Sequence, residues 1–161
     1  MSERVYTIKL NAQTLGTNAG DILCVYAGSG MAFKVREIRL GQTASVTIGN
    51  LAVDLKTLPA TVTTGSGGSS VTPDPVNPSD VAATITARML DGIAGGAAAS
   101  SSGTVIHRPD VYNPINGYLY QPLSPDDMII IKPTWAFSFS LVTIPSPSQL
   151  SYGYMTVEEL F

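Results

Sequence analysis

The sequence is built largely from short runs in which apolar and polar residues alternate. Val5–Asn11 alternates strictly, and Trp135–Ile144 repeats the pattern with larger aromatic side chains. Successive side chains on a β-strand point to opposite faces, so a period of two predicts half-buried strands. Gly and Pro punctuate the runs at short intervals, and no stretch has the pattern of a long helix.

Further runs of the same kind complete the chain. They are Ile22–Tyr26, Phe33–Leu40, Leu51–Leu58, Val81–Leu90, Thr104–Arg108, Tyr118–Gln121, Met128–Lys132 and Leu150–Leu160, with a turn and a short strand in Gly41–Asn50. Val81–Leu90 also fits a short helix, although its β-branched residues favour a strand. Together the runs predict a single domain over residues 1–161, an all-β antiparallel β-sandwich that is jelly-roll-like.

One of these runs changes its inward face part of the way along. Phe33 and Val35 share one parity, whereas Ile38 and Leu40 share the other. An extra residue in one strand of an antiparallel pair shifts the parity in this way. The pattern therefore predicts a β-bulge at Arg36-Glu37.

Two low-complexity segments interrupt the strands. Gly65–Asp80 begins with three glycines that permit close approach of the chain, and it ends with three prolines that favour extended backbone. We expect this segment to be a long loop, or an extended arm, without regular structure in its middle. Asp91–Gly103 consists mainly of small residues and predicts a second low-complexity loop that is either mobile or packed against its neighbours.

Composition excludes several classes of function. Only 13% of the 161 residues are charged and the net charge is −3, so the chain lacks the basic surface that nucleic-acid binding requires. An apolar run near the ~18 residues of a membrane helix is absent, and so is the apolar core of a signal peptide. We therefore expect a protein that binds neither nucleic acid nor membrane and is made in a cytoplasmic compartment.

The sequence offers few groups for catalysis or for metal and cofactor binding. Cys24 and His107 are the single cysteine and the single histidine, and an enzyme using both is the least favoured function. Cys24 lies in an apolar run and is expected to be buried, and His107 is expected at the edge or wall of the core. The glycines near residue 67 are not followed by the Gly-Lys-Ser/Thr of a phosphate loop, so no cofactor is expected.

Two pairs of adjacent acidic residues are expected to have structural roles. Asp126-Asp127 follows Pro125 and is typical of a turn, and no spacing of alternate acids indicates a metal site. Glu158-Glu159 is expected to be an exposed terminal charge pair that discourages edge-to-edge pairing.

A different class of function is suggested by the aromatic residues. Flat aromatic faces bind sugar rings, which makes a carbohydrate- or receptor-binding module the alternative function. The residues that would form such a surface are Tyr112, Tyr118, Tyr120 and Trp135. Packing of the tyrosines with their hydroxyls at the surface is the competing interpretation.

Several longer motifs, in order, resemble a known group of proteins. They are FKVREIRLGQTAS, LAVDLKTLPATVTTGSGGSSVTPDPVNPSD, NGYLYQPLSPDDMIII and YGYMTVEEL. Over most of the chain they are similar to small virion structural proteins of tailed bacteriophages and prophages, of the capsid decoration (cement) or head-associated type. The segment GSGG-x-x-VTP-x-P and the Glu-Glu ending carry most of the resemblance, whereas DGIAGGAAASSSGTVIHRPD keeps only the general character of a variable middle region.

The resemblance implies a non-enzymatic protein on the exterior of the virion capsid, made in the host bacterial cytoplasm. In such a virion, the alternative function is a carbohydrate- or receptor-binding module of a tail or fibre. Its expected partner is the major capsid protein or another virion protein, and the chain is expected to form a homo-oligomer. The candidate contact segments are Ser66–Asp80, Ala94–Ser102 and Ser2–Arg4. Within the first segment the expected partner-binding residues are Ser66, Gly67, Gly68, Val71, Pro73, Pro75, Val76 and Pro78.

Overall fold

The computed structural model describes residues 3–16, 18–43 and 49–161. These residues form twelve β-strands and one short 3₁₀ turn at Pro125–Asp127. The strands are β1 Arg4–Leu15, β2 Gly20–Tyr26, β3 Ala32–Gln42, β4 Leu51–Leu58, β5 Ser69–Val71, β6 Asp74–Pro75, β7 Thr86–Met89, β8 Val105–Tyr112, β9 Tyr118–Tyr120, β10 Ile129–Ile131, β11 Ala136–Leu141 and β12 Gln149–Leu160. The part of the Gly41–Asn50 prediction that falls on residues 44–48 lies outside the described residues.

Two antiparallel sheets make up the fold. Sheet A has the order β10-β3-β12-β1-β6, with β9 also paired to β3, and sheet B has the order β5-β7-β2-β11-β4-β8. The predicted all-β antiparallel sandwich is confirmed, and the jelly-roll connectivity stays a prediction. In the part of the chain that the structure describes, no helix has the length and apolarity needed to cross a membrane.

The core lies between the inner faces of the sheets. Tyr6, Ile8 and Leu10 of β1 are buried, as their alternation predicts. Phe137 and Phe139 of β11 are also buried in the same cluster, so this late strand supplies much of the core of sheet B. The hydrophobic effect of closing these faces on each other holds the two sheets together.

The bulge in β3 is confirmed. Glu37 pairs with Thr156 of β12 and Val35 pairs with Val157, so Arg36 is the extra residue between them. Val35 and Ile38 are both fully buried on either side of it. The extra residue turns both Arg36 and Glu37 toward the outer face of sheet A.

The expectation of an unstructured middle for Gly65–Asp80 is wrong. Ser69–Val71 pairs with β7 at the edge of sheet B, and Asp74–Pro75 pairs with β1 at the edge of sheet A. Pro75 is tolerated because an edge strand needs hydrogen bonds on one side only. The segment therefore pairs with an edge of each sheet along one side of the sandwich, and it is not a free arm.

Two other strands differ in length from the prediction. Within Val81–Leu90, only Thr86–Met89 forms a strand. The strand predicted at Thr104–Arg108 continues through Pro109 to Tyr112. This extension is possible because β8 is the edge of sheet B, where a missing N–H does not interrupt the ladder.

Glu158 and Glu159 are buried, so the expectation of an exposed charge pair is also wrong. They lie in β12, which is a central strand of sheet A. Oε1 of Glu159 accepts hydrogen bonds from the Thr84 N–H at 2.6 Å, the Thr84 hydroxyl at 2.6 Å and the Ile85 N–H at 3.1 Å. This carboxylate ties sheet A to the chain that enters β7.

We expect Glu159→Ala to lower the free energy of unfolding by about 2–4 kcal/mol, because three donors lose a charged acceptor inside the protein. Chemical denaturation monitored by fluorescence measures the change. Glu3→Ala is the matched control, since the Glu3 side chain is 69% exposed and its ion pair with Arg36 is 3.9 Å long. Equal effects of the two substitutions would contradict the assigned role of Glu159.

Candidate binding surface

Two of the three predicted contact segments lie against each other. The Ser66 N–H donates to the Ala97 carbonyl at 2.8 Å, and the Gly92 N–H donates to the Ser66 carbonyl at 3.1 Å. The Ala97 N–H in turn donates to the Ser66 hydroxyl at 3.1 Å. Ser66 thus joins both segments, and we call Ser66–Val71 together with Ala94–Ser102 the paired-loop surface.

Glycine is required where the two loops meet. A Cβ atom on Gly67 would lie 1.7 Å from the carbonyl oxygen of Gly95, and Gly67 has a φ of +86°. A Cβ atom on Gly68 would lie 2.0 Å from the carbonyl oxygen of Met89. Both distances are shorter than any real contact, so these glycines provide close packing of backbone on backbone.

A buried ion pair fixes the paired-loop surface to sheet B. Asp91 is fully buried. Its carboxylate accepts hydrogen bonds from Arg88 Nε at 2.7 Å and Arg88 Nη2 at 2.8 Å, and from the Gly68 N–H at 3.1 Å. Bidentate pairing with additional backbone donors is the arrangement in which a buried carboxylate is tolerated. The loop predicted as mobile or packed against its neighbours is therefore packed.

The eight predicted partner-binding residues all lie at least partly at the surface. The exposed ones are Ser66, Gly67, Val76 and Pro78, and the half-buried ones are Gly68, Val71, Pro73 and Pro75. In the third predicted segment, Ser2 lies outside the described residues. The guanidinium of Arg4 stands 4.2 Å from the ring centre of Phe161. Partner binding by these residues stays a prediction.

A groove with a volume of about 610 Å³ crosses the outer face of sheet A. Val76 forms one wall, and Pro122 and Met128 form the other. Thr7 and Thr156 lie on the floor as neighbours on adjacent strands. The groove therefore has apolar walls and a hydroxyl-bearing floor.

Charges in the groove are paired within the chain. Arg36 lies 3.5 Å from Glu158, and the Tyr154 hydroxyl donates to Glu37 at 3.1 Å. Glu37 also forms an ion pair with Arg39. The bulge places Arg36 and Glu37 side by side here, so the groove presents one positive and one negative group to a ligand.

Sequence reasoning missed Tyr154 as a surface residue. It alternates with the buried Met155 and Val157, and this period of two could have identified it as outward-facing. The position of the groove was not visible in the sequence, because the floor combines residues from three strands that are distant in the chain.

Two of the sheet edges are poor templates for an added strand. In β8, Pro109 has no N–H, and His107 is the extra residue of a second bulge. In β1, the pairing shifts after Leu10, and the Gln13 side chain donates to the Asn11 carbonyl at 2.8 Å. Prolines and bulges of this kind protect edges from pairing. Contacts with a partner are therefore expected from side chains and loops.

Part of the outer face of sheet B is covered by a loop of the chain. Asp21 is 1% exposed and accepts hydrogen bonds from the Ala99 N–H at 2.7 Å, the Ser138 hydroxyl at 2.5 Å and the Ser140 hydroxyl at 2.9 Å. Burial raises the pKa of the Asp21 carboxyl, although these hydrogen bonds oppose the shift. Asp21 thereby holds the Ala94–Ser102 loop over the sheet.

The structure does not bring Cys24 and His107 together. Cys24 is fully buried in β2, as predicted, and burial raises the pKa of its thiol. His107 lies in β8, three strand spacings away, which corresponds to roughly 14 Å. His107 Nε2 instead lies 2.6 Å from the Thr57 hydroxyl. Among the described residues, no group of three His, Cys, Asp or Glu could hold a metal ion.

The three tyrosines do not form an exposed sugar-binding surface. Tyr112, Tyr118 and Tyr120 are each less than a tenth exposed. Tyr118 stacks on Phe139 with 5.1 Å between ring centres, and burial raises the pKa of Tyr112 to about 12. The interpretation with hydroxyls at the surface is also wrong for Tyr118, whose hydroxyl is buried. These rings belong to the core because β8 and β9 lie across from each other.

The fold and surfaces define a protein of the all-β sandwich class. Comparison of the chain with models of known protein families, with curated proteins and with solved structures found no match.

We expect Gly67→Ala to destabilise the fold by about 2 kcal/mol or more, because the new Cβ collides with the Gly95 carbonyl and the backbone has a positive φ. Gly30→Ala is the control, since its added Cβ meets nothing within 4 Å. Urea denaturation of both variants measures the difference. A Gly67→Ala variant as stable as Gly30→Ala would show that the loops do not pack as described.

We expect the stability of the wild-type chain, relative to Asp21→Asn, to fall as the pH is raised from about 4 to 7. A carboxyl whose pKa is raised on folding contributes stability below its unfolded pKa, and this contribution is lost as the pH rises through the folded pKa. Denaturation at several pH values measures the difference, with exposed Asp74→Asn as the control. A flat or opposite dependence would contradict the burial of a carboxyl at this position.

Proposed function

We propose that this protein is a non-enzymatic virion structural protein of a tailed bacteriophage, which decorates the assembled capsid and stabilises it. The motif resemblance suggests the class. The observation that carries the proposal is that two contact segments, chosen from the sequence alone, come together at Ser66 as one surface.

The character of this surface supports binding to a large, rigid partner. Ser66, Gly67, Ala94 and Ala97 are exposed and small, and the ion pair between Arg88 and Asp91 anchors the loops beneath them. Because the loops are already ordered in the free chain, binding requires little further loss of conformational entropy. Small neutral side chains also allow close approach without burying unpaired charge.

Stabilisation of a capsid follows from mass action. A protein that binds the assembled shell but not free subunits lowers the free energy of the assembled state in proportion to the sites that it fills. Many weak contacts of this kind, repeated over a symmetric shell, together hold neighbouring subunits in place. The proposed partner is therefore the major capsid protein, or another virion protein, on the exterior of the particle.

Deletion of the paired-loop surface is not a suitable test of this proposal. Deleting residues 67–77 would remove β5, β6 and the contact with Gly95, so loss of binding would not be distinguished from unfolding. Substitutions of exposed side chains leave the fold intact and are the better test.

We expect Ser70→Glu combined with Ala97→Glu to reduce incorporation into particles by roughly tenfold or more, because charges buried at an interface are costly. Both side chains are exposed on the paired-loop surface. Quantitative mass spectrometry of purified particles measures the ratio to the major capsid protein, and the temperature of genome release measures shell stability.

Asn11→Glu combined with Thr14→Glu is the control, since it adds the same charge at exposed positions of β1. It should leave incorporation unchanged. Wild-type particles that contain only a few copies of the chain would rule out the proposed role.

A further inference from the structure

The uncovered face of sheet A carries a ridge beside its groove. Gln121 and Pro122 line the groove, and Leu123, the next residue, is 100% exposed. The chain then turns at Pro125–Asp127 and returns to the groove wall at Met128. Leu123 therefore projects into solvent beside the apolar wall of this groove.

Other exposed apolar residues extend this ridge. Leu119 in β9 is 54% exposed and Ile130 in β10 is 53% exposed. Both pair with β3 on the side away from β12. Exposed apolar residues that are clustered, and not scattered singly, mark an interaction surface.

We propose that a second copy of this chain occupies the groove, with the two copies related by a two-fold axis so that each Leu123 enters the groove of the other. When a surface carries a ridge beside a groove, a two-fold rotation places the ridge of each copy opposite the groove of the other. The proposal rests on the exposed surface of sheet A and does not depend on the capsid role.

The charges on the groove floor fit the same symmetry. Arg36 and Glu37 are adjacent and opposite in sign, so a two-fold axis between them places each next to its opposite in the partner copy. A ligand with charge of one sign would meet a like charge at one of these two groups, whereas a second copy brings an opposite charge to each.

A stable dimer requires only a modest share of the surface of this chain. A standard interface takes about 800 Å² from each partner, which is about a tenth of the surface of a small protein. The chain exposes 7658 Å² in total, and the outer face of sheet A is one of its two broad faces. On the other broad face, the loops that Asp21 and Asp91 hold cover part of the surface.

Analytical ultracentrifugation of the purified full chain, over a concentration series up to about 1 mM, tests the proposal. We expect the wild-type chain to sediment with twice the mass of one copy. Leu123→Asp should weaken the dimer by about tenfold or more, because a charge replaces an apolar side chain in each of two symmetric contacts. Thr156→Arg should do the same by filling the groove floor.

Val111→Asp is the matched control, since Val111 is 60% exposed on β8 of the other sheet. It should leave the dimer unchanged, and thermal unfolding should show that all variants are folded. A wild-type chain that is monomeric throughout would mean that the groove takes a different partner, and it would overturn the proposal. A dimer that persists in Leu123→Asp, or that Val111→Asp weakens equally, would also overturn it.

Discussion

The buried carboxylate of Asp91 is the interaction on which the loops of this protein depend. A charge without access to water is tolerated only when it is paired and fully hydrogen-bonded. Arg88 and the Gly68 N–H meet that requirement, and a Cβ atom on Gly65 would lie 2.6 Å from the Asp91 side chain. Glycine at positions 65 and 68 is therefore a geometric requirement of the packing around this carboxylate, and not a source of flexibility.

Local patterns in the sequence predicted the strands well. The alternation in β1 and the change of parity in β3 depend only on neighbouring residues, and both are confirmed. The sequence did not reveal the burial of Glu159, because it depends on β12 lying at the centre of sheet A. Strand order is a property of long-range pairing, which period-two patterns do not specify.

The positions of the candidate surfaces also depend on long-range pairing that the sequence pattern does not specify. The small residues of Ser66–Val71 and Ala94–Ser102 were recognisable as special segments, but nothing local indicated that they contact each other. Pairing of β5 with β7 decides that contact. The groove is harder still to predict, because Val76 and Pro122 approach it from opposite edges of sheet A.

Loops of the chain cover part of one broad face of the sandwich. Cys24, Leu58, Ala99 and Ala136 form a second apolar cluster on the outer side of sheet B, beneath loops that the chain itself supplies. The opposite broad face remains open to its surroundings. The molecule consequently has a front and a back, and any layer built from it would present a different chemistry on each of its two sides.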